Sequence, residues 1–127
     1  RGGSKGIPGK NVALLNNKPL ISYTIVEALR SKYISNVIVS SDSQIIRAIS
    51  IQYGAETVIR PDELSRDNSK PVDGILHATK IAEEKYSCKY DYVVELLCTN
   101  PFKTFLDIDN ALKIQIETNK NAKFPNR

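Results

Sequence analysis

Hydrophobic residues along this chain alternate between strand-like and helix-like spacing, and this alternation limits the fold more than any other feature. Each short apolar run is followed by a stretch in which apolar residues recur three and four positions apart. The predicted strands are Val12–Leu15, Asn36–Ser40, Glu56–Ile59 and Tyr92–Leu97. Because the joints between segments are short and rich in turn residues, the sequence predicts an α/β domain with a largely parallel sheet.

Capping and breaking residues mark the limits of the first two predicted helices. The first helix is expected from Pro19, which suits a first helical position, to about Ser31. Asp42 or Ser43 is expected to cap the second helix, which Gly54 ends.

The two later helices are predicted in the same way. Ser69 is expected to cap the third helix, with Pro71 in its first turn. The fourth helix begins near Phe105, and the polar tail from Thr118 is expected to fray. Residues expected to face the core in the second and third helices are Ile45, Ile46, Ile49, Ile75, Leu76, Thr79 and Ala82.

Polar residues follow three of the predicted strands. Ser41–Asp42, Arg60 and Thr99–Asn100 all lie in loops after strands, and in an open parallel sheet the ligand crevice lies outside these carboxyl ends. Two alternatives stay open, since Asp42 also suits a helix cap and Arg60 also suits an ion pair with Asp62 or Asp67.

The first eleven residues, 1–11, combine three cations and four glycines with no acid. Glycines allow backbone N–H groups to approach phosphate oxygens, and Arg and Lys neutralise the phosphate charge. The first acidic residue is Glu27, so the whole net charge of +4 lies at the amino end. This stretch therefore predicts a phosphate-binding loop. The alternative is a solvated, basic, glycine-rich amino terminus.

Two common phosphate-binding motifs are excluded by spacing. A Walker A loop ending at Gly9–Lys10 would need glycine at Ser4 and a hydroxyl at Asn11. The glycines also never stand in the G-x-G-x-x-G arrangement of dinucleotide-binding folds.

A family resemblance extends over essentially the whole chain. Residues 1–11 read R-x-x-S-K-x-x-x-x-K-N and are followed by Lys18-Pro19-Leu20-Ile21. Further matches, in the family's order, are Val39–Asp42, Tyr53–Glu56, Arg60–Leu64, His77-Ala78 and Thr99–Pro101. Together these motifs resemble the cytidylyltransferases that activate nine-carbon sugar acids, of which the CMP-N-acylneuraminate synthetases are the best known.

The resemblance implies a three-layer α/β/α, Rossmann-like nucleotidyltransferase fold, of which residues 1–127 form the amino-terminal part of one catalytic domain, truncated at both ends. It implies transfer of CMP from CTP to an acidic nine-carbon sugar with release of pyrophosphate. Arg1 and Lys10 would contact the triphosphate as catalytic residues, and the other implied nucleotide-binding residues are Ser4, Lys5, Asn11 and Arg60. It also implies Mg²⁺ held by aspartates outside this chain and a homodimer when the protein is full length.

The implied sugar pocket departs from the family pattern. Thr99, Asn100 and Lys103 are the expected sugar-binding residues, but Leu97 stands where the sialic acid enzymes have glutamine, and Lys103 replaces an arginine. Because the loss of a polar partner changes hydroxyl recognition, a legionaminic or pseudaminic type of acid is an alternative to sialic acid. A Kdo-type or other sugar nucleotidyltransferase and a non-catalytic nucleotide-binding module are the remaining alternatives.

Composition excludes several other classes. Cys88, Cys98 and the single His77 are too few for a four-ligand zinc site or a disulfide framework. No apolar run reaches the length of a membrane span, and no signal peptide is visible, so a cytoplasmic protein without membrane contact is expected. A net charge of +4 without interleaved aromatics argues against nucleic-acid binding. The isolated chain is expected to be inactive.

Overall fold

Four parallel strands form one sheet in the computed structural model, which describes residues 10–16, 21–64, 70–96 and 104–122. The strands are β1 (Lys10–Asn16), β2 (Asn36–Ser41), β3 (Glu56–Ile59) and β4 (Tyr90–Leu96), in the order β3-β2-β1-β4. All three pairings are parallel, as the alternation of strands and helices predicted.

Helices connect the strands. In the described ranges they are α1 (Ile21–Arg30), α2 (Gln44–Gln52), α3 (Pro71–Tyr86) and α4 (Phe105–Ala122), with a single 3₁₀ turn at Asp62–Leu64. None of these helices is long and apolar enough to cross a membrane.

Helices cover both sides of the two central strands, β1 and β2, in which neighbouring residues point to opposite faces and are buried on each. In β1, Ala13 and Leu15 join one core with residues of α1 and α4, whereas Leu14 joins a second core with Ala78 and Ala82 of α3. The domain therefore has three layers, with α1 and α4 on one face and α3 on the other.

The position of α3 follows from the strand order. The chain moves from β1 to β2 to β3 in one direction and then returns through α3 to β4, on the far side of β1. Since crossovers between parallel strands are right-handed, a reversal of direction puts the connecting helix on the opposite face. The return crossover also brings the amino end of α3 to the edge at which β3 ends.

Several predicted boundaries are confirmed and others are wrong. Strand β3 has the predicted limits, and Ser43, whose Oγ accepts a hydrogen bond from the Ile46 amide, is the residue that caps α2. The cap of α3 is Lys70 without a side-chain hydrogen bond, so the assignment to Ser69 was wrong. The predicted fraying from Thr118 was also wrong, because α4 continues to Ala122.

Two residues expected to face the core in the second and third helices are exposed, and so is Leu29, expected on the apolar face of the first helix. Ile45 is 72% exposed and Leu76 is 60% exposed. In α3 the buried stripe consists of small residues four apart, Gly74, Ala78 and Ala82, which let the helix lie close to the sheet. Leu76 stands two residues from this stripe and therefore faces away from the sheet, and Ile45 similarly precedes the half-buried Ile46 by about 100° of helix rotation.

Candidate functional site

The carboxyl ends of the four strands lie along one edge of the sheet. Their register places Asn16 beside Ser40, and Ser41 beside Ile59. Because each strand is followed by a helix running back in the opposite direction, the amino ends of the helices lie at this same edge. Helix amino ends carry partial positive charge and unpaired N–H groups, so this edge favours an anion.

Arg60 is fixed at this edge by its backbone and its side chain. Its amide donates a 3.1 Å hydrogen bond to the carbonyl oxygen of Ser41. Its Nε donates a 3.0 Å hydrogen bond to Oγ of Ser40, which is 1% exposed. The prediction that Arg60 follows a strand at the carboxyl edge is therefore confirmed.

Gly74, in the first turn of α3, lies directly against the Arg60 guanidinium. A Cβ atom built at Gly74 would lie 3.1 Å from Nη2, 3.2 Å from Cζ and 3.4 Å from Nε of Arg60. The arginine side chain therefore occupies space that any other residue at position 74 would take. His77 follows one turn later, and its buried Nδ1 has no hydrogen-bond partner among the residues described.

A second guanidinium lies at the end of β2. Nη1 of Arg47, in α2, donates a 2.8 Å hydrogen bond to the carbonyl oxygen of Ser41, the same oxygen that accepts from the Arg60 amide. The Ser41 hydroxyl accepts a hydrogen bond from the Ser43 amide at 3.0 Å and so fixes the turn into α2. Two cations thus meet at one turn of the carboxyl edge.

Lys10 and Asn11 were expected to join Arg60 in one nucleotide site, and the structure does not bring them together. Both residues begin β1, where Lys10 pairs with Tyr90 at the amino end of β4. A seven-residue strand extends roughly 20 Å at 3.3 Å per residue, so Lys10 and Arg60 lie at opposite edges of the sheet. The physical reason is strand direction, because Lys10 starts its strand and Arg60 follows the end of one, and all the strands run parallel.

The remaining predicted site residues lie outside the described ranges. These are Arg1, Ser4 and Lys5 of the basic loop and Thr99, Asn100 and Lys103 of the expected sugar pocket. Asp67, one of the alternative partners of Arg60, and Cys98 also lie outside them.

The described acidic residues at the start of α4 have structural partners. The Asp109 carboxylate accepts hydrogen bonds from the Ser31 hydroxyl and from the Lys32 amide. Asp107 and Thr104 form a reciprocal cap, in which each side chain accepts from the other residue's amide. No group of three His, Cys, Asp or Glu side chains suited to a metal occurs within the described ranges. These residues do not fit a magnesium site.

A groove of about 390 Å³ runs between β4 and α4. It is lined by residues 92–96 of β4 and by Ile108, Ala111, Leu112 and Gln115 of α4. Its one charged lining residue is Glu95, so this groove is unsuited to a triphosphate and is distinct from the edge that holds Arg60.

A hydrogen-bond network occupies the opposite, amino edge. Glu56 accepts hydrogen bonds from the Tyr86 hydroxyl and, at 3.1 Å, from Nδ2 of Asn36, whose Oδ1 accepts from the Tyr90 hydroxyl at 2.6 Å. The hydrogen bond to Glu56, with burial and the nearby negative charge, raises the pKa of Tyr86 to about 12. Burial is the main cause that raises the pKa of Tyr90. This network joins β2, β3, α3 and β4, so we assign these four side chains a structural role.

Three residues at the carboxyl edge were not assigned by sequence reasoning, although each carries a signal. Ser40 is a polar residue at the end of an apolar buried strand. Gly74 is a glycine inside a helix, where glycine is less stable than alanine and usually has a packing reason. Arg47 is a cation in the first half of a helix, where the macrodipole disfavours it.

Comparisons with known proteins identify the family of this chain. The family described as Cytidylyltransferase matches residues 1–126. The N-acylneuraminate cytidylyltransferase of Escherichia coli is 39% identical over 90% of this chain. The CMP-N,N'-diacetyllegionaminic acid synthase of Legionella pneumophila is 36% identical over 96% of it, and the pseudaminic acid cytidylyltransferase of Campylobacter jejuni is 38% identical over 80%.

The fold has a counterpart among solved structures. The structure of CMP:2-keto-3-deoxy-manno-octonic acid synthetase complexed with CTP superposes with a TM-score of 0.66, at 15% identity, over 91% of this chain and 50% of that one. This confirms the predicted nucleotidyltransferase fold. The chain spans 26% of the length of the Escherichia coli protein, 53% of the Legionella protein and 44% of the Campylobacter protein. By its match over residues 1–126, this chain belongs to the cytidylyltransferase family.

Proposed function

We propose that the protein transfers CMP from CTP to an acidic nine-carbon sugar and releases pyrophosphate. Residues 1–127 then form the amino-terminal part of one catalytic domain, whose full-length form is a homodimer in the cytoplasm. The relatives matched over most of this chain are named for this chemistry with sialic, legionaminic and pseudaminic acids. The observation that carries the proposal is the fixed guanidinium of Arg60 at the carboxyl edge of a parallel sheet.

The proposed reaction is a substitution at the α-phosphorus of CTP. A hydroxyl oxygen of the sugar acid forms a bond to this phosphorus, and the bond to the oxygen bridging the α- and β-phosphates breaks. The hydroxyl proton is lost, and pyrophosphate carries away the electron pair of the broken bond. Catalysis of this step depends mainly on positioning and on neutralising charge, which are the properties that fixed cations provide.

Arg60 is proposed to hold the nucleotide at the carboxyl edge. Its guanidinium is planar and carries five N–H donors, one of which, at Nε, bonds to Ser40. The terminal nitrogens suit paired phosphate oxygens. Mg²⁺, when bound, would neutralise further charge on the triphosphate, and its ligands are proposed to lie outside the described residues.

The basic loop is proposed to act on the same triphosphate. Arg1 and Lys10 would stabilise charge on the leaving pyrophosphate, and Ser4, Lys5 and Asn11 would bind the nucleotide. Lys10 begins β1 at the edge opposite to Arg60, so the proposed role of Lys10 is tested by its own variant, separately from that of Arg60.

The sugar acid is proposed to contact Thr99, Asn100 and Lys103, which follow β4. Lys103 supplies a single cationic donor group for the sugar carboxylate. Leu97 offers no hydrogen bond to a hydroxyl, so the acid is proposed to be of the legionaminic or pseudaminic type and not sialic acid itself.

The proposal is tested by release of pyrophosphate from CTP in the full-length protein with Mg²⁺ and each of the three sugar acids. Lys10→Ala and Arg60→Ala are each expected to remove most activity without unfolding the protein. Lys80→Ala, which removes an exposed cation from α3, is the matched control and should be unchanged. Near-parental turnover in Arg60→Ala would contradict the site, whereas the same result in Lys10→Ala alone would remove Lys10 from it.

A further inference from the structure

The Arg60 guanidinium is held between a strand end and a helix. On the strand side, Nε donates to the Ser40 hydroxyl at 3.0 Å, and Ser40 is almost completely buried. A buried hydroxyl in a strand end has little freedom to move, so this hydrogen bond restrains the position of Nε.

On the helix side, the guanidinium packs this closely because residue 74 has no side chain. The buried Gly74 would carry a Cβ within 3.1–3.4 Å of three guanidinium atoms. Glycine lowers the stability of a helix interior, and this position belongs to the small-residue stripe of α3, where alanine stands at both later positions, 78 and 82. Alanine is small enough to pack against the sheet at the two later positions of the stripe. At position 74 the close neighbour is Arg60, and its guanidinium accounts for glycine there.

We infer that Ser40 and Gly74 are positioning residues for nucleotide binding: they form a slot that holds the Arg60 guanidinium in one orientation for the phosphates of CTP. The inference rests on the proposed role of Arg60. A long arginine side chain loses rotamer freedom when it binds a ligand, and a slot that orders it beforehand reduces this loss. Neither Ser40 nor Gly74 needs to touch CTP.

The slot makes an unusual prediction for Gly74→Ala. The methyl group meets the end of a flexible side chain, so the helix tolerates it and gains helix propensity. Arg60 must move instead. The variant is expected to be at least as stable as the parent while its affinity for CTP falls roughly tenfold through misplacement of the guanidinium. Substitution of a residue with a merely structural role would not lower CTP affinity while stability is kept or raised.

The test is a double-mutant cycle on CTP binding, measured by calorimetric titration of the full-length protein with Mg²⁺, together with thermal melts. The variants are Gly74→Ala, Ser40→Ala, Arg60→Ala and each of the first two combined with Arg60→Ala. Leu76→Ala is the control for a substitution in α3 away from Arg60. Ser50→Ala is the control for loss of a buried serine hydroxyl, since the Ser50 hydroxyl donates a hydrogen bond to the Ile46 carbonyl.

The inference expects that Gly74→Ala and Ser40→Ala each weaken CTP binding when Arg60 is present. In the Arg60→Ala protein, adding either substitution should not weaken CTP binding further. It is overturned if Arg60→Ala weakens binding and Gly74→Ala leaves it unchanged, or if Gly74→Ala weakens binding equally without Arg60. Should Ser40→Ala unfold, Gly74→Ala decides alone. Parental CTP binding by a folded Arg60→Ala would instead contradict the proposed function itself.

Discussion

Asp109 in α4 accepts a 2.5 Å hydrogen bond from the hydroxyl of Ser31, 78 residues earlier, just beyond the end of α1. Both side chains are buried, with Asp109 8% exposed. The same carboxylate accepts from the Lys32 amide at 3.4 Å. This contact joins the first and last helices of one layer, so the buried carboxylate of Asp109 has a structural role.

Asp109→Ala is expected to lower the free energy of unfolding by about 1 to 3 kcal/mol, because it leaves the buried Ser31 hydroxyl without its acceptor. Urea denaturation measures the change. Asn110→Ala, at the next and exposed position, is the control and should change stability little. CTP affinity of the folded Asp109→Ala protein should match the parent, and a large loss of affinity would show that this carboxylate takes part in the site.

Alkaline pH is expected to weaken the network around Glu56. The pKa of Tyr86 is raised from 10.0 to about 12, so between these values the unfolded state has lost the proton that the folded state keeps. The stability that this group contributes is therefore fully present below pH 10 and is lost as pH rises through about 12. Urea denaturation at a series of pH values should give a shallower decline for Tyr86→Phe than for the parent. Identical slopes would exclude Tyr86 as a contributor.

Gly54 follows the end of α2 with φ at +101°, in a region that L-residues rarely adopt. A Cβ there would also lie 3.1 Å from Cδ1 of Leu29. Gly54→Ala is expected to destabilise the protein by about 1 to 3 kcal/mol. Thermal or urea denaturation tests this, and an unchanged midpoint would mean that the backbone adopts another conformation at position 54.

Ser87 ends α3 in the left-handed conformation, with φ at 52°. Glycine adopts this conformation without the steric penalty of a Cβ, so Ser87→Gly is expected to stabilise the protein by about 0.5 to 1 kcal/mol. The opposite signs expected at positions 54 and 87 make these variants a matched pair. A loss of stability in Ser87→Gly would show that the serine side chain contributes more than the backbone strain removes.

The layer architecture was predictable because a strand covered by helices on both faces requires an apolar run, and Asn36–Ser41 has that character. Arg60 was predictable too, since a strand immediately precedes it. The exposure of Ile45 and Leu76 was not predictable. The spacing of apolar residues shows which side of a helix faces the sheet, but it does not show how much of that side the sheet covers.

The placement of Lys10 shows a second limit of sequence reasoning. A strand over Val12–Leu15 in a parallel sheet already places Lys10 at the amino edge, whereas the charge and motif of residues 1–11 grouped Lys10 with Arg60 in one nucleotide site. The slot around Arg60 was also missed, because it depends on a contact between residues 40, 60 and 74 that only the crossover of α3 brings together.

The central claim is that the carboxyl edge of this sheet binds CTP. Its most direct test is calorimetric titration of CTP, ATP, GTP and an oligonucleotide into the protein with Mg²⁺, repeated on Arg60→Ala and Arg1→Ala at the same salt concentration. The account predicts saturable binding of CTP, tighter than of the purine nucleotides, that both substitutions weaken. Absent binding, or equal binding of every polyanion, would contradict it and leave only an electrostatic patch.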